Sequence, residues 1–326
     1  MTRKHGISWL NMPGYKGETW NPVVGCDIVS PGCTNCYAMK MAHRICAMQP
    51  DSHYQGTVKT VNGKPVWTGK IAAAPEKTLN APLRWKTPRM VFVNSMGDLF
   101  HEGVTDEVMD LVFSIMALSP QHIFVILTKR PARMRYYINT PERSVQVWHD
   151  AIKTAAETKL PIGRINHLST GLEGIRWPLP NVWLGVSAEN QEQAAARIPY
   201  LMYTPAAKRI VSVEPMLGAV DLRPWLFNIT HEDEIKIASG AALCTPLPFH
   251  ENPPPEEISQ PRLDWVICGG ESGAGRRFMA TKWARDLRDQ CADAKVPFFF
   301  KQHIGRGLDD DLLDGERHHN WPTVAS

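Results

Sequence analysis

The stretch HIFVILTKR, residues 122–130, is an apolar run that stops abruptly at polar and basic residues. Its apolar part is continuous rather than alternating, which is typical of a strand covered on both faces in a parallel sheet. Five more stretches have this form: MVFVNS (90–95), NVWLGVS (181–187), RIVSVEP (209–215), DWVICGG (264–270) and PFFFKQ (297–302). The sequence therefore predicts a sheet of mainly parallel, buried strands.

Helical patterns lie between these strands. Thr105 is a candidate N-cap for one of them. In the last one Trp283, Leu287 and Cys291 recur at a spacing of four, which places them on one helix face. Alternating strands and helices predict right-handed βαβ units, arranged as an α/β barrel or an open sheet. The helical patterns cover residues 105–118, 145–159, 190–203 and 281–294.

The composition is that of an ordinary globular protein, with 43% hydrophobic and 21% charged residues in a chain of 326. The N-terminus lacks the apolar segment of a signal peptide, and no run reaches the roughly 18 apolar residues of a membrane span. Seven cysteines, an odd number without a secretory signal, favour the reducing cytoplasm over a disulfide framework. The net charge of +3 neither requires nor excludes an anionic partner.

We expect one α/β domain over residues 1–326 with two surface insertions. Residues 49–75 carry a VNGKP turn between short extended runs, which predicts a hairpin. Residues 228–262 are too rich in proline for a helix or a central strand. The tail from about residue 306 is expected to be peripheral.

Polar residues follow every one of the six predicted strands. Ligands of parallel α/β folds bind at the carboxyl ends of the strands, so these residues predict a polar pocket above an apolar barrel. An ion-pair network that holds the strand ends together is the alternative for each charged member. The residues are Asn94, Ser95, Asp98, Thr128, Lys129, Arg130, Ser187, Glu189, Asn190, Glu214, Glu271, Ser272, Lys301 and Gln302.

Three cysteines lie in the stretch GCDIVSPGCTNCYAMKMAHR, residues 25–44, which ends in a helical pattern. Cys26, Cys33 and Cys36 have the spacing C-x6-C-x2-C. A structural zinc site needs four ligands, and His43 could supply the fourth. Three thiolates without a fourth suit a [4Fe–4S] cluster with one open iron. Cys46, Cys244, Cys268 and Cys291 stand singly among apolar neighbours and are expected to be buried.

The motif GC…GCTNCYA resembles the cluster loop of radical S-adenosylmethionine (SAM) enzymes, especially the spore photoproduct lyase branch with GC-x3-C-x2-CYA. Here the first gap has six residues, and Asn35 stands where an aromatic residue usually precedes the third cysteine. Nearly the whole chain resembles a phage and prophage family of unknown function, labelled by gene products thirty-seven and sixty-eight and also called three-Cys-motif proteins. The matching stretches are TWNPVVGC (19–26), SPGCTNCYA (30–38), NSMGDLFHE (94–102), LTKRPARM (127–134), NVWLGVSAENQ (181–191), VSVEPMLG (211–218), ICGGESGAGRR (267–277) and VPFFFKQ (296–302).

This resemblance implies a radical SAM-like, partial TIM-type barrel. A [4Fe–4S] cluster on Cys26, Cys33 and Cys36 would bind SAM at its open iron, and one-electron reduction would cleave the cofactor. The implied cofactor-binding residues are Ser95, Gly97, Asp98, Ser187, Glu189 and Asn190. The candidate catalytic residues, expected toward the substrate, are Lys129, Glu214, Glu271 and Lys301.

The leading hypothesis is a cytoplasmic radical SAM-like enzyme, in the host cytoplasm if it is phage-encoded. Arg276 and Arg277, beside the glycine-rich GGESGAG, point to a nucleotide or nucleic-acid substrate. The second hypothesis is a non-catalytic, zinc- or cluster-knotted protein that binds nucleic acid or a partner protein. A third is an enzyme whose cluster serves electron transfer alone. Relatives in the resembling family also imply a separately encoded three-Cys-motif partner protein.

Overall fold

The structure is a computed structural model that describes residues 6–160, 175–227, 262–273, 275–303 and 310–324. Short 3₁₀ turns lie at Ser8–Leu10 and Pro31–Cys33. The helices are α1 Tyr37–Met48, α2 Glu76–Leu79, α3 Ala81–Arg84, α4 Asp106–Ala117, α5 Pro131–Asn139, α6 Arg143–Glu157, α7 Gln191–Met202, α8 Arg223–Leu226 and α9 Thr281–Asp293. None of the helices in these ranges is both long and apolar enough to span a bilayer.

Seven strands form a curled, half-barrel sheet in which every neighbouring pair is parallel. Its strand order is β1-β6-β7-β8-β9-β10-β11. The strands are β1 Lys16–Trp20, β2 Val23–Val24, β3 Val58–Val61, β4 Lys64–Trp67, β5 Ala72–Ala73, β6 Arg89–Val93, β7 Ile123–Thr128, β8 Val182–Ser187, β9 Arg209–Val213, β10 Trp265–Gly269, β11 Phe298–Gln302, β12 Leu312–Leu313 and β13 Glu316–Arg317. The six strands and four helices expected from the sequence are confirmed, each to within two residues.

The two faces of the sheet are both apolar, which explains why the strands are continuous apolar runs. Successive residues of a strand point to opposite faces. Val91 and Val93 of β6 lie in the core beneath the helices, whereas Met90 belongs to a second core inside the half barrel. Trp9, from the first 3₁₀ turn, is buried in that inner core with a T-shaped contact to Trp265. Both faces of this parallel sheet are therefore buried against apolar side chains.

The strand β1 was not expected from the sequence. Its residues KGETW are mostly polar, and it lies at the edge of the sheet beside β6. Glu18 of β1 forms an ion pair with Arg89 of β6, so polar side chains hold this edge. The helix α5 was also missed; its Pro131 stands in the first turn, where a missing N–H costs nothing.

The hairpin in the first insertion is confirmed as β3 and β4, which pair antiparallel. Asn62 and Gly63 have φ of 48° and 72°, as a two-residue type I′ turn requires. The hairpin contacts α1. Residues 228–261, which make up nearly all of the second insertion and include Cys244, lie outside the described residues.

The described part of the tail, residues 310–324, differs from the peripheral segment expected. The indole Nε1 of Trp321 donates to the carbonyl of Trp9 at 2.7 Å, and Trp265 donates to the carbonyl of Asn320 at 2.8 Å. The ring of His319 stacks on Phe299, with 4.4 Å between the centroids. The tail therefore covers the inner core of the half barrel.

Gly185 in β8 tests how tightly the sheet is packed. A Cβ at this position would lie 2.7 Å from the Ile210 carbonyl oxygen and 2.7 Å from a methyl of Leu127. We expect Gly185→Ala to lower the free energy of unfolding by about 1–3 kcal/mol, the usual cost of overpacking. Gly218→Ala is the matched control, because its Cβ would make only an ordinary 3.5 Å contact. Denaturant titration measures both; equal stability of the two variants would contradict the packing.

Candidate functional site

A cavity of about 400 Å³ opens at the carboxyl ends of the parallel strands. The cysteine loop forms one wall, residues at or after the carboxyl ends of β6 to β11 form much of the rest, and Ile7, Trp9 and Trp67 also line it; we call it the cysteine cavity. Glu189 and Asn190 are not in its lining. The predicted site residues that the structure brings together in the lining are Cys26, Cys33, Cys36, Ser95, Gly97, Asp98, Lys129, Ser187, Glu214, Glu271 and Lys301.

The three cysteines of the loop are unpaired with one another and with other cysteines. Cys26 follows β2, Cys33 closes the second 3₁₀ turn, and Cys36 precedes the first residue of α1. Burial raises the pKa of the Cys26 thiol to about 12, the Asp98 carboxylate adds to the shift, and Arg130 opposes it. Cys26 is therefore a neutral thiol, and any metal that binds it would have to displace its proton.

The spacing of the thiols bears on which metal they suit. Tetrahedral zinc, with Zn–S bonds of about 2.3 Å, brings its thiolates to within about 3.8 Å of each other. Among the described residues, the only trio of metal-ligand atoms mutually within 4.8 Å belongs to Asp27, His101 and Glu102, not to the cysteines. His43, the candidate fourth zinc ligand, instead lies with its Nε2 at 3.4 Å from Thr60 of the hairpin. The three Sγ atoms of the loop therefore do not all lie within 4.8 Å of one another.

Glu189 anchors the cysteine loop from below. It is 1% exposed; its Oε1 accepts from the Gly32 N–H at 2.9 Å and its Oε2 from Arg197 at 3.0 Å. A Cβ on Gly32 would lie 2.9 Å from the Glu189 carboxyl carbon, so any side chain there would have to displace this carboxylate. Burial by itself raises the pKa of Glu189, but hydrogen bonds from Ser30 and Gly32 and the charge of Arg197 hold it below the usual range. Glu189 is thus an ionised positioning residue, not a lining one.

Glu271 anchors the other side of the same loop. Its Oε2 accepts from the amide of Asn35 at 3.0 Å, and its Oε1 accepts from Arg277 at 2.6 Å. Asn35 also donates to the carbonyl of Gly275, and Arg277 donates to the carbonyl of Pro31 at 2.9 Å. Burial raises the pKa of Glu271, but the bonds from Arg277 and Asn35 outweigh it and lower the pKa overall. The unusual Asn35 is therefore a tether, and Arg277 is committed to the loop rather than to a phosphate.

Arg130, just after β7, joins several acidic groups in the wall of the cavity. Its side chain, 5% exposed, donates to Asp98 at 3.2 Å and to Glu102 at 2.8 Å and forms an ion pair with Asp27. One of its nitrogens also lies 3.6 Å from the Cys26 sulfur. The sequence placed Arg130 at a strand end, but only the fold shows that it contacts four groups from two other segments, the cysteine loop and the turn after β6.

Asp98 also has a structural role, because it accepts hydrogen bonds from neighbouring segments. Its oxygens accept from the Thr128 hydroxyl at 2.7 Å and from the N–H groups of Phe100 and Lys129. Burial raises the pKa of Asp98, and these hydrogen bonds oppose the shift. Its carboxylate holds the end of β7 against the turn after β6.

The trio of Asp27, His101 and Glu102 resembles a cation site by distance alone. Arg130 already pairs with both carboxylates. The N–H of Gly103 donates to His101 Nδ1 at 2.9 Å, so the proton of a neutral imidazole lies on Nε2, the atom that faces Asp27 at 3.6 Å. A protonated nitrogen and a guanidinium leave no place for a metal ion.

The remaining predicted residues divide between the cavity and its frame. Glu214 and Lys301 form an ion pair across the ends of β9 and β11, inside the lining. Gly97 lets two backbones meet, because a Cβ there would lie 2.8 Å from the Gly25 carbonyl oxygen. Asn190 caps α7 by accepting from the N–H of Gln193 at 2.9 Å.

The Glu189–Arg197 pair gives a stability test of the loop anchor. Glu189→Gln keeps the shape but leaves the buried Arg197 without its counter-charge, so we expect a loss of about 3–5 kcal/mol in the free energy of unfolding. Glu192→Gln, on the exposed first turn of α7, is the matched control and should cost less than about 1 kcal/mol. Denaturant titration compares the two. If both lose the same amount, Glu189 is not an anchor.

A family model described as "Protein of unknown function (DUF5131)" matches residues 6–322. The match therefore includes the cysteine loop and every strand of the parallel sheet. No curated protein matches the chain, and no solved structure matches it. The chemistry has to be argued from the cavity itself.

Proposed function

The chain belongs to the DUF5131 family, and we propose that it is a radical SAM-like iron–sulfur enzyme. In this proposal the curled sheet is a partial TIM-type barrel, the protein works in the cytoplasm and it is related to phage proteins. One observation carries the proposal: three free thiols of a single loop line a cavity at the carboxyl ends of a parallel sheet. Active sites of α/β barrels lie at this end.

The donor set fits a cluster with one open iron. Three cysteines line the cavity, and its described lining contains neither a fourth cysteine nor a histidine. The three Sγ atoms are not all within 4.8 Å of one another, whereas tetrahedral zinc brings its thiolates to within about 3.8 Å. When bound to these thiolates, a [4Fe–4S] cluster would supply the electron for reductive cleavage of a carbon–sulfur bond of SAM at the open iron.

The residues around the thiols would orient the cofactor and keep out water. Ser95, Gly97 and Ser187 line the cavity with small or hydroxyl groups, and the Glu214–Lys301 pair supplies both signs of charge. Trp9 and Phe92, also in the lining, make its apolar part. Because Asp98 already accepts several hydrogen bonds, it supports this wall rather than binding a ligand directly.

Iron content tests the first half of the proposal. Anaerobic purification should give a brown protein with about four irons per chain, the content of a [4Fe–4S] cluster. Replacing Cys26, Cys33 or Cys36 with Ala should remove the colour. Cys46→Ala is the matched control, because that thiol donates to the Tyr54 carbonyl and is not in the lining. A colourless protein with one zinc per chain would support the zinc-knotted binding protein instead.

Formation of 5′-deoxyadenosine tests the second half. Iron-loaded protein, reduced with dithionite in the presence of SAM, should release this product, measured by chromatography and mass spectrometry. Cys36→Ala, which removes one cluster ligand, should release none. If the iron-loaded protein binds no SAM and releases no 5′-deoxyadenosine, the radical SAM proposal fails and the cluster serves electron transfer alone.

A further inference from the structure

A second cavity of about 390 Å³ adjoins the cysteine cavity. The two share Val29, Lys129 and Arg130 in their linings. The second cavity lies between the first turn of α5 and the exposed side of α7, which contributes Ala196 and Tyr200. We call it the basic cavity, because its charged lining is Lys129, Arg130, Arg133, Arg197 and a single carboxylate, Glu102.

The charges of the basic cavity differ in how far they are satisfied. Arg133 pairs with Asp106 at 3.0 Å, and Arg197 pairs with Glu189, and neither carboxylate belongs to the lining. Lys129 is different. Its charge acts at a distance on Asp98 and Glu189, but within the described ranges its ammonium makes no hydrogen bond or ion pair. Lys129 is half-buried and lines both cavities, and the three N–H donors of its ammonium have no acceptor among the described residues.

The sizes of the two cavities suit one ligand in each. Sites for small molecules measure about 300–1,000 Å³, so the cysteine cavity, at about 400 Å³, is at the lower end. A nucleoside joined to an amino acid, as in SAM, would take up that space. A second reactant then needs an adjoining site, and the basic cavity, which shares three lining residues with the cysteine cavity, provides one.

We propose that the basic cavity binds the substrate through a phosphate group held by Lys129. That the ligand is the substrate rests on the proposed function, whereas the phosphate site itself rests on the geometry of the basic cavity. Arg130, Arg133 and Arg197 are each paired with carboxylates, so Lys129 is the one cation of this lining without a partner among the described residues. The oxygens of a phosphate group can accept from all three donors of its ammonium. Lysine binds phosphate as a compact point charge with three donors.

Binding of orthophosphate and adenosine monophosphate to the full chain tests the proposal. Titration calorimetry on the wild-type protein should show saturable binding of both. Lys129→Gln should weaken it about tenfold or more, since a charge-assisted hydrogen bond is lost. Ala196→Trp, on the exposed rim of the basic cavity, should weaken it as much by filling the space. Acetate, added as a competitor, should displace neither probe.

The control is Ala292→Trp, the same change on the exposed side of α9, outside both cavities. It should alter affinity by less than about twofold. Absence of phosphate binding to the wild-type protein would overturn the proposal. Loss in Lys129→Gln with full binding in Ala196→Trp would also overturn it, because the anion would then lie in the cysteine cavity. Equal competition by acetate would reject a phosphate.

The outcome separates this inference from the proposed function. The titration is run on iron-free and on iron-loaded protein. Iron-loaded protein that releases 5′-deoxyadenosine but binds no phosphate keeps the proposed function and loses the phosphate site. Protein that binds phosphate through Lys129 but holds no cluster keeps the site and loses the proposed function.

Discussion

Two buried carboxylates hold the cysteine loop over the sheet, and the site depends on them. A buried ion is costly unless its lone pairs are met by good donors. Glu189 and Glu271 each accept both from a guanidinium and from the loop itself, at Gly32 and Asn35. The loop therefore cannot leave without uncovering unpaired charge. This is how a segment with no regular structure between Asp27 and Ser30 keeps three thiols at one cavity.

The charged strand ends thus divide into two kinds. Asp98 and Glu271 pair with Arg130 and Arg277, so they form the ion-pair network that the sequence allowed as an alternative for each charged residue. Lys129 has no such partner among the described residues, and it remains available to a ligand. A strand-end position alone does not distinguish the two kinds, because each is a polar residue after an apolar run. Whether a charged residue is structural or available depends on its ion-pair partner, and that partner comes from another segment of the chain.

Local patterns explain how much of this structure the sequence predicts. Strands such as β7 and β8 follow from continuous apolar runs, and Asn62–Gly63 predicts the hairpin turn, because both signals lie within a few residues. The strand β1 has no apolar run that would predict it, because an edge strand can keep Glu18 and Lys16 in contact with polar groups or solvent. The anchor between Gly32 and Glu189 joins residues 157 positions apart. That pairing is created by the fold, so no local signal could reveal it.

The long first gap of the cysteine motif acquires a structural purpose from the two cavities. The residues that follow Cys26 are Asp27, Ile28 and Val29. Asp27 pairs with Arg130, which fixes the loop to the end of β7. Val29, 45% exposed, lines both cavities and so stands between them. A three-residue gap could hold these three residues, but not Ser30, Pro31 and Gly32 as well, and Gly32 donates to Glu189. The six residues of the gap therefore let the loop contact both Arg130, through Asp27, and Glu189, through Gly32, with Val29 between the two cavities.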